Sequence, residues 1–147
     1  MTIDPAVLGA MSARMVEDTP QAKALGMRLV SSAPGDAVMA VAWRADLVGD
    51  PATGVLAGGV ITTLLDHVCG LAVGGAGAWG QPVATLDLRI DYMRPAEPGR
   101  EIIARAQCYK VTRSIGFVRA TAFEIDEADP VATAQGAFVL AGANPAR

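Results

Sequence analysis

Residues 54–75 read GVLAGGVITTLLDHVCGLAVGG. From Gly59 to Val73 apolar residues fall on most sides of a 3.6-residue period and no proline interrupts them, which predicts one buried helix over 59–73, ended by the glycine-rich stretch 74–82. One carboxylate, Asp66, sits in the middle of it. It is the only formally charged side chain between Asp50 and Asp87, and burying it unpaired would cost several kcal/mol, on the order of a lost ion pair. Gly58 and Gly59 stand where the helix begins. There the backbone N–H groups lack intrahelical acceptors and lie at the positive end of the dipole.

Working outward, Asp4-Pro5 supplies an N-cap and a first-turn proline for a short helix that closes at Thr19-Pro20. Residues 25–32 and 38–43 flank the turn-rich Ala33-Pro34-Gly35-Asp36, the pattern of an antiparallel hairpin. After Pro82 the period changes to 2. Ala84, Leu86, Leu88, Ile90 and Tyr92 alternate with Thr85, Asp87, Arg89 and Asp91, and three further strands follow near 102–109, 115–125 and 132–136. The inward faces of those three strands are small: Ala104, Ala106, Ala120, Ala122, Ala132, Ala134 and Gly136. Ala and Gly together supply 44 of the 147 residues, and a face so shallow closes around a helix at close-packed density, as one of Leu and Phe could not.

Helix, two strands, apolar helix and four strands, without alternating strand-helix units, define an α+β class with an antiparallel sheet. We expect five to six strands around one central helix and a short N-terminal helix. The expected divisions are an N-terminal helical segment at 1–24, a single domain at 25–141 and a tail at 142–147. Open strand edges point to pairing with a second copy, a homodimer or dimer of dimers.

Composition removes several functions. With 12 Lys and Arg against 15 Asp and Glu the chain is mildly acidic, so it offers no broad footprint for nucleic acid. The N-terminus lacks an export pattern, and glycines and Pro82 shorten the apolar run below a membrane span, so no membrane segment is expected. Cys69 and Cys108 are unpaired in spacing, which suits reduced thiols and a cytoplasmic location. His67 is the only histidine, so no multi-histidine metal site forms within one chain, and a Ser-His-Asp triad would depend on it alone. Gly75 to Gly80 matches GxGxxG, but it follows a helix and opens a strand, the reverse of a dinucleotide fingerprint.

That leaves Asp66 as a general base or nucleophile, or else as a carboxylate bonded to threonines at a subunit seam. Thr63 shares its stripe of the helix, and the N–H groups of Gly58 and Gly59 could hold an oxyanion. Arg89, Arg94, Lys110 and Arg113 are the cations available for phosphates.

The segments 54–59, Leu65-Asp66 and ATLDLRIDYMRPA at 84–96 resemble the phenylacetic-acid-degradation branch of the hotdog-fold acyl-CoA thioesterases, over about residues 25–140. The resemblance implies a sheet wrapped around a long helix and active sites between paired subunits. It also implies an acyl-CoA substrate, aryl or of short to medium chain, and no cofactor. In that scheme Asp66 activates water or attacks the thioester, the Gly58 N–H of the opposite subunit polarises the carbonyl, and Thr85 orients the water or the carboxylate. Where the family has His before the two glycines this chain has Ala57, and the nearest residue to its loop Asn or Gln is Asp50. Competing expectations are a non-catalytic acyl-CoA-binding module and a hotdog hydratase or dehydratase. Thr85 carries the same parity as Arg89, away from the helix, and only a bulge or a subunit seam would turn it inward.

Overall fold

A computed structural model of the chain describes residues 4–77 and 81–140. The first helix, α1 (Pro5–Glu17), starts as expected, with the Asp4 carboxylate accepting from the Ala6 N–H at 2.9 Å. A second, short helix was not anticipated. Thr19-Pro20 opens α2 (Pro20–Leu25) and Gly26, at φ 70°, closes it in the left-handed region, so the strand expected from residue 25 begins two residues later. Strands β1 (Met27–Ala33) and β2 (Asp36–Val41) form the expected hairpin, with Ala33 opposite Asp36 and Gly35 at φ 76° between them.

The chain then makes a small ribbon, β3 (Val48–Asp50) against β4 (Val55–Leu56), where a plain loop was expected. The ribbon delivers α3 (Gly58–Ala76), and β5 (Val83–Tyr92), β6 (Ile102–Val111), β7 (Ile115–Phe123) and β8 (Ala132–Leu140) complete the fold. All strands of the main sheet are antiparallel, in the order β1-β2-β6-β7-β8-β5. This six-stranded sheet wraps α3, the α+β hotdog arrangement that the sequence implied. Strand β7 stops two residues short of the expected end, and Ile125 beyond it is 73% exposed.

Register explains the small residues. Ala37, Ala106, Ala120 and Ala134 lie side by side on β2, β6, β7 and β8, and the next inward row is Met39, Ala104, Ala122 and Ala132. All eight are buried. Against them α3 buries Leu64, Leu65, Val68, Cys69, Ala72 and Val73. The sheet comes closest at Gly116, where an added Cβ would stand 2.4 Å from Val73 Cγ1. Val73 is β-branched and cannot swing aside. Gly116→Ala is therefore expected to destabilise the fold by about 1–3 kcal/mol through overpacking, read as a lower Cm at unchanged m in urea unfolding; an unchanged Cm would show that the helix yields.

Helix α3 is longer than expected, running on through Gly74 and Gly75, both buried. Packing beneath β5 outweighs their poor propensity: a Cβ at Gly74 would touch Val83 at 3.5 Å. At 19 residues and mean hydropathy 1.4, α3 reaches the length and apolarity of a membrane span, contrary to the sequence reading. In this fold it is the core helix, with most of it enclosed by the sheet. The end of the GxGxxG match, Ala78 to Gly80, and the tail 142–147 lie outside the described residues.

Candidate active site

The start of α3 is built from backbone. Ala57, at the N-cap, has no capping side chain, but its N–H donates to the Leu47 carbonyl at 2.9 Å and its carbonyl accepts from the Val60 N–H at 3.0 Å. Gly49 of β3 presses so close that a Cβ there would stand 2.8 Å from Ala57 Cα. Between those anchors the N–H groups of Gly58 and Gly59 meet no acceptor among the described residues. Both glycines are exposed, and a Cβ on Gly59 would find nothing within 4 Å. Two adjacent N–H groups at a helix N-terminus, open to solvent, have the chemistry to donate to an oxyanion.

Asp66 lies two turns further on, half-buried. Its Oδ1 accepts from the Thr85 hydroxyl at 2.8 Å, while Oδ2 has no partner among the described residues. Thr85 reaches the helix because β5 carries a bulge at Leu86: Thr85 pairs with Phe138 and Asp87 with Ala137, leaving one residue over. Before the bulge Val83 and Thr85 face α3. After it Leu88 and Ile90 do, and Leu86, which the alternation placed inward, is 57% exposed. Gly136 makes room for the bulge, since a Cβ on it would stand 2.6 Å from the Asp87 carbonyl oxygen.

The neighbours of Asp66 are poor nucleophiles. Burial, helped by the Asp66 charge, pushes the Cys69 thiol up to about 12, so at neutral pH it is a buried apolar group. Burial lowers the His67 pKa, with Asp66 opposing, which keeps the imidazole neutral near pH 7. Thr63 spends its hydroxyl on the Gly59 carbonyl at 2.8 Å. Asp50 is exposed and holds its own turn, accepting from the Ala52 N–H and the Thr53 hydroxyl, each at 3.0 Å.

Tyr92 is the residue that sequence reading missed. Its hydroxyl donates to the Gly58 carbonyl at 2.7 Å and makes a short contact with the Thr62 hydroxyl. Alternation put Tyr92 on the helix side of β5, but nothing in the sequence named its partner. Beside it opens a cleft of about 320 Å³ lined mainly by apolar side chains, Val55, Leu56, Ile61 and Met93 among them, and by Gly58.

The four cations separate. All five guanidinium donors of Arg94 are engaged, with both oxygens of Glu124, the Asp129 carboxylate, and the carbonyls of Asp129 and Pro95. Arg89 pairs with Asp91 on the outer face of the sheet, where a larger cleft of about 710 Å³ is lined by Arg105, Arg119, Gln107 and Gln135. That face is turned away from Asp66. Lys110 and Arg113 are exposed at the β6–β7 turn, next to Gly116, which packs on the C-terminal half of α3. Among the described residues no group of three or more His, Cys, Asp or Glu gathers that could hold a metal ion.

Eight residues of helix separate Gly58 from Asp66, about 12 Å along the axis. Within one chain they cannot flank a single carbonyl. Strand β5 ends the sheet with an unpaired ten-residue edge, on which Leu86 and Tyr92 are exposed, as is Met93 just beyond it, the kind of edge that a second copy closes.

Comparison with known proteins bears on the family and the fold. The sequence profile of the thioesterase superfamily matches residues 53–130. A Halobacterium salinarum protein is 30% identical over 133 residues, 84% of this chain and 85% of its own, and human acyl-coenzyme A thioesterase 13 is 32% identical over 89 residues, 60% of this chain and 61% of its own. Among solved structures, a Pseudomonas aeruginosa protein superposes with a TM-score of 0.82 at 33% identity, covering 90% of this chain and 98% of that one. The phenylacetic acid degradation protein PaaI of Thermus thermophilus superposes with a TM-score of 0.72 at 31% identity, covering 82% and 97%. With its profile matched over half its length and a sheet wrapped around one helix, the chain belongs to the thioesterase superfamily.

Proposed function

We propose that the protein hydrolyses an acyl-CoA thioester, aryl or of short to medium chain, at a site shared by two copies of the chain. The observation that carries this reading is the half-buried Asp66, oriented through Oδ1 by Thr85 and open at Oδ2, on a helix whose first two N–H groups are free. Oδ2 takes a proton from water, whose oxygen bonds to the thioester carbon, or attacks that carbon directly, in which case a water afterwards hydrolyses the resulting anhydride and frees Asp66; either way the carbon first becomes tetrahedral. The oxyanion is held by the Gly58 N–H of the other subunit. Collapse breaks the carbon–sulfur bond and releases CoA as thiolate, a leaving group that needs little acid assistance. The apolar cleft beside Gly58 takes the acyl group, and Lys110 and Arg113 remain as cations for the CoA phosphates. Dimers form along the β5 edge and pair further into a dimer of dimers.

Two variants test the shared site. Gly58→Pro removes the N–H where a first-turn proline is tolerated, and Ala57 already has the extended ψ of 137° that a following proline prefers. Asp66→Asn removes the base. Each alone is expected to be nearly inactive in a thiol-trapping assay with an acyl-CoA panel. Co-refolded in equal amounts, they are expected to regain about a quarter of wild-type turnover, the statistical share of sites with one intact Gly58 facing one intact Asp66 across a two-fold interface. No recovery would remove the shared site, and tight binding of acyl-CoA by the wild type without thiol release would make the protein a binding module.

A further inference from the structure

The side chain of Tyr92 crosses from the end of β5 to the first turn of α3, 34 residues away in sequence, and ends on a main-chain carbonyl. Three oxygens meet there. The Tyr92 hydroxyl lies 2.7 Å from the Gly58 carbonyl, the Thr62 hydroxyl lies 3.1 Å from the same oxygen, and the two hydroxyls touch each other. Two protons serve these contacts, so both are consumed inside the cluster and neither is free to protonate a leaving thiolate. Tyr92 therefore acts through the peptide that it holds.

That peptide has a second end. The amide whose carbonyl belongs to Gly58 carries its N–H on Gly59, one of the two donors left unpaired at the start of the helix. A carbonyl that accepts a hydrogen bond makes the N–H of the same amide a stronger donor, by roughly 10–30% per bond, and it also fixes the plane in which that N–H points. Gly59 looks onto open space, with room for a ligand where a Cβ would stand. At position 57, next to these amides, stands Ala57, which has no polar side chain to polarise a carbonyl.

We infer that Tyr92, with Thr62, is a positioning residue that orients and polarises the Gly58–Gly59 peptide, making the Gly59 N–H a second donor to the thioester carbonyl beside that of Gly58. The inference rests on the proposed thioester chemistry and deepens it. Backbone replaces side chain at this site: the tyrosine on the sheet edge presets the Gly59 N–H, beside that of Gly58, for the charge that develops on the carbonyl oxygen.

Tyr92→Phe keeps the half-exposed ring and deletes the hydroxyl. We expect kcat to fall about tenfold, less than the loss of a whole oxyanion donor, with KM and the pH profile of kcat/KM unchanged. A role confined to packing would instead alter KM or the melting temperature. Infrared spectra of a carbonyl-13C acyl-CoA bound to Asp66→Asn protein give the independent readout. The bound carbonyl stretch is expected to shift to lower frequency than in solution, and to move back towards the solution value when Tyr92→Phe is added. Turnover within twofold of wild type, or a lower kcat with an unmoved band, overturns the role of Tyr92 while leaving Asp66 and Gly58 in place. A wild-type protein that neither cleaves nor binds any thioester overturns the proposed chemistry and this inference together.

Discussion

Asp66→Asn is expected to lower kcat/KM for the best acyl-CoA substrate by about a thousandfold, near 4 kcal/mol of transition-state stabilisation, the middle of the range for losing a positioned general base. The fold should not change, because the amide oxygen of Asn can still accept from Thr85, which donates to Oδ1 at 2.8 Å in the wild type. Thr85→Val separates orientation from chemistry. It removes the hydroxyl that fixes the carboxylate and leaves the charge, so its expected loss is about tenfold, near the lower end of the worth of one hydrogen bond to a charged group. Single-turnover thiol release distinguishes the two variants, and an Asp66→Asn enzyme within threefold of wild type would remove the base assignment.

Arg94→Met is expected to cost about 2–3 kcal/mol of stability, or roughly 5–10 °C in Tm for a chain of this size, because it leaves a buried carboxylate without its partner. The side chain of Glu124 is only 3% exposed and that of Arg94 31%, so water can replace part of the lost pair and the cost stays below that of a fully buried one. The hydrogen bond from Arg94 holds the Glu124 carboxyl below its ordinary 4.5, with the Glu97 N–H assisting. A lowered folded pKa means that this stabilisation is complete above 4.5 and is lost as pH falls through the folded value. The Tm gap between wild type and Arg94→Met should therefore narrow in acid. Arg94→Met/Glu124→Gln should be more stable than the two single losses predict, since no buried charge is stranded. A constant gap from pH 7 to pH 3 would show that Glu124 does not supply the coupling.

Arg94 also shows how far a motif can be read. Arg-Pro-Ala at the end of β5 helped to carry the family resemblance, and as a cation Arg94 was a candidate for phosphate. Four of its five donors instead tie the end of β5 to the loop between β7 and β8, and the fifth goes to the neighbouring Pro95 carbonyl. Charge is legible in a sequence and the partner is not, because Glu124 lies 30 residues downstream. Thr85 teaches the converse: alternation turned it outward, and a single extra residue at Leu86 turns it towards Asp66. A bulge leaves little mark on the strand that carries it; here the constraint sits on the neighbouring strand, at Gly136.

The sequence by itself determined the types of the main elements, though not α2 or the β3–β4 ribbon, and with them the single central helix, the row of small residues that lets the sheet close on it, and the isolation of Asp66 and the two glycines. These follow from periodicity and residue size along one stretch of chain, which are local properties. The tertiary structure alone decided that α3 runs on through Gly74 and Gly75, that Thr85 meets Asp66, that Tyr92 holds the Gly58 carbonyl, and that Arg94 is spent within the fold. Each depends on strand register or packing between segments far apart in sequence, where burial and hydrogen bonding outweigh intrinsic propensity and simple alternation.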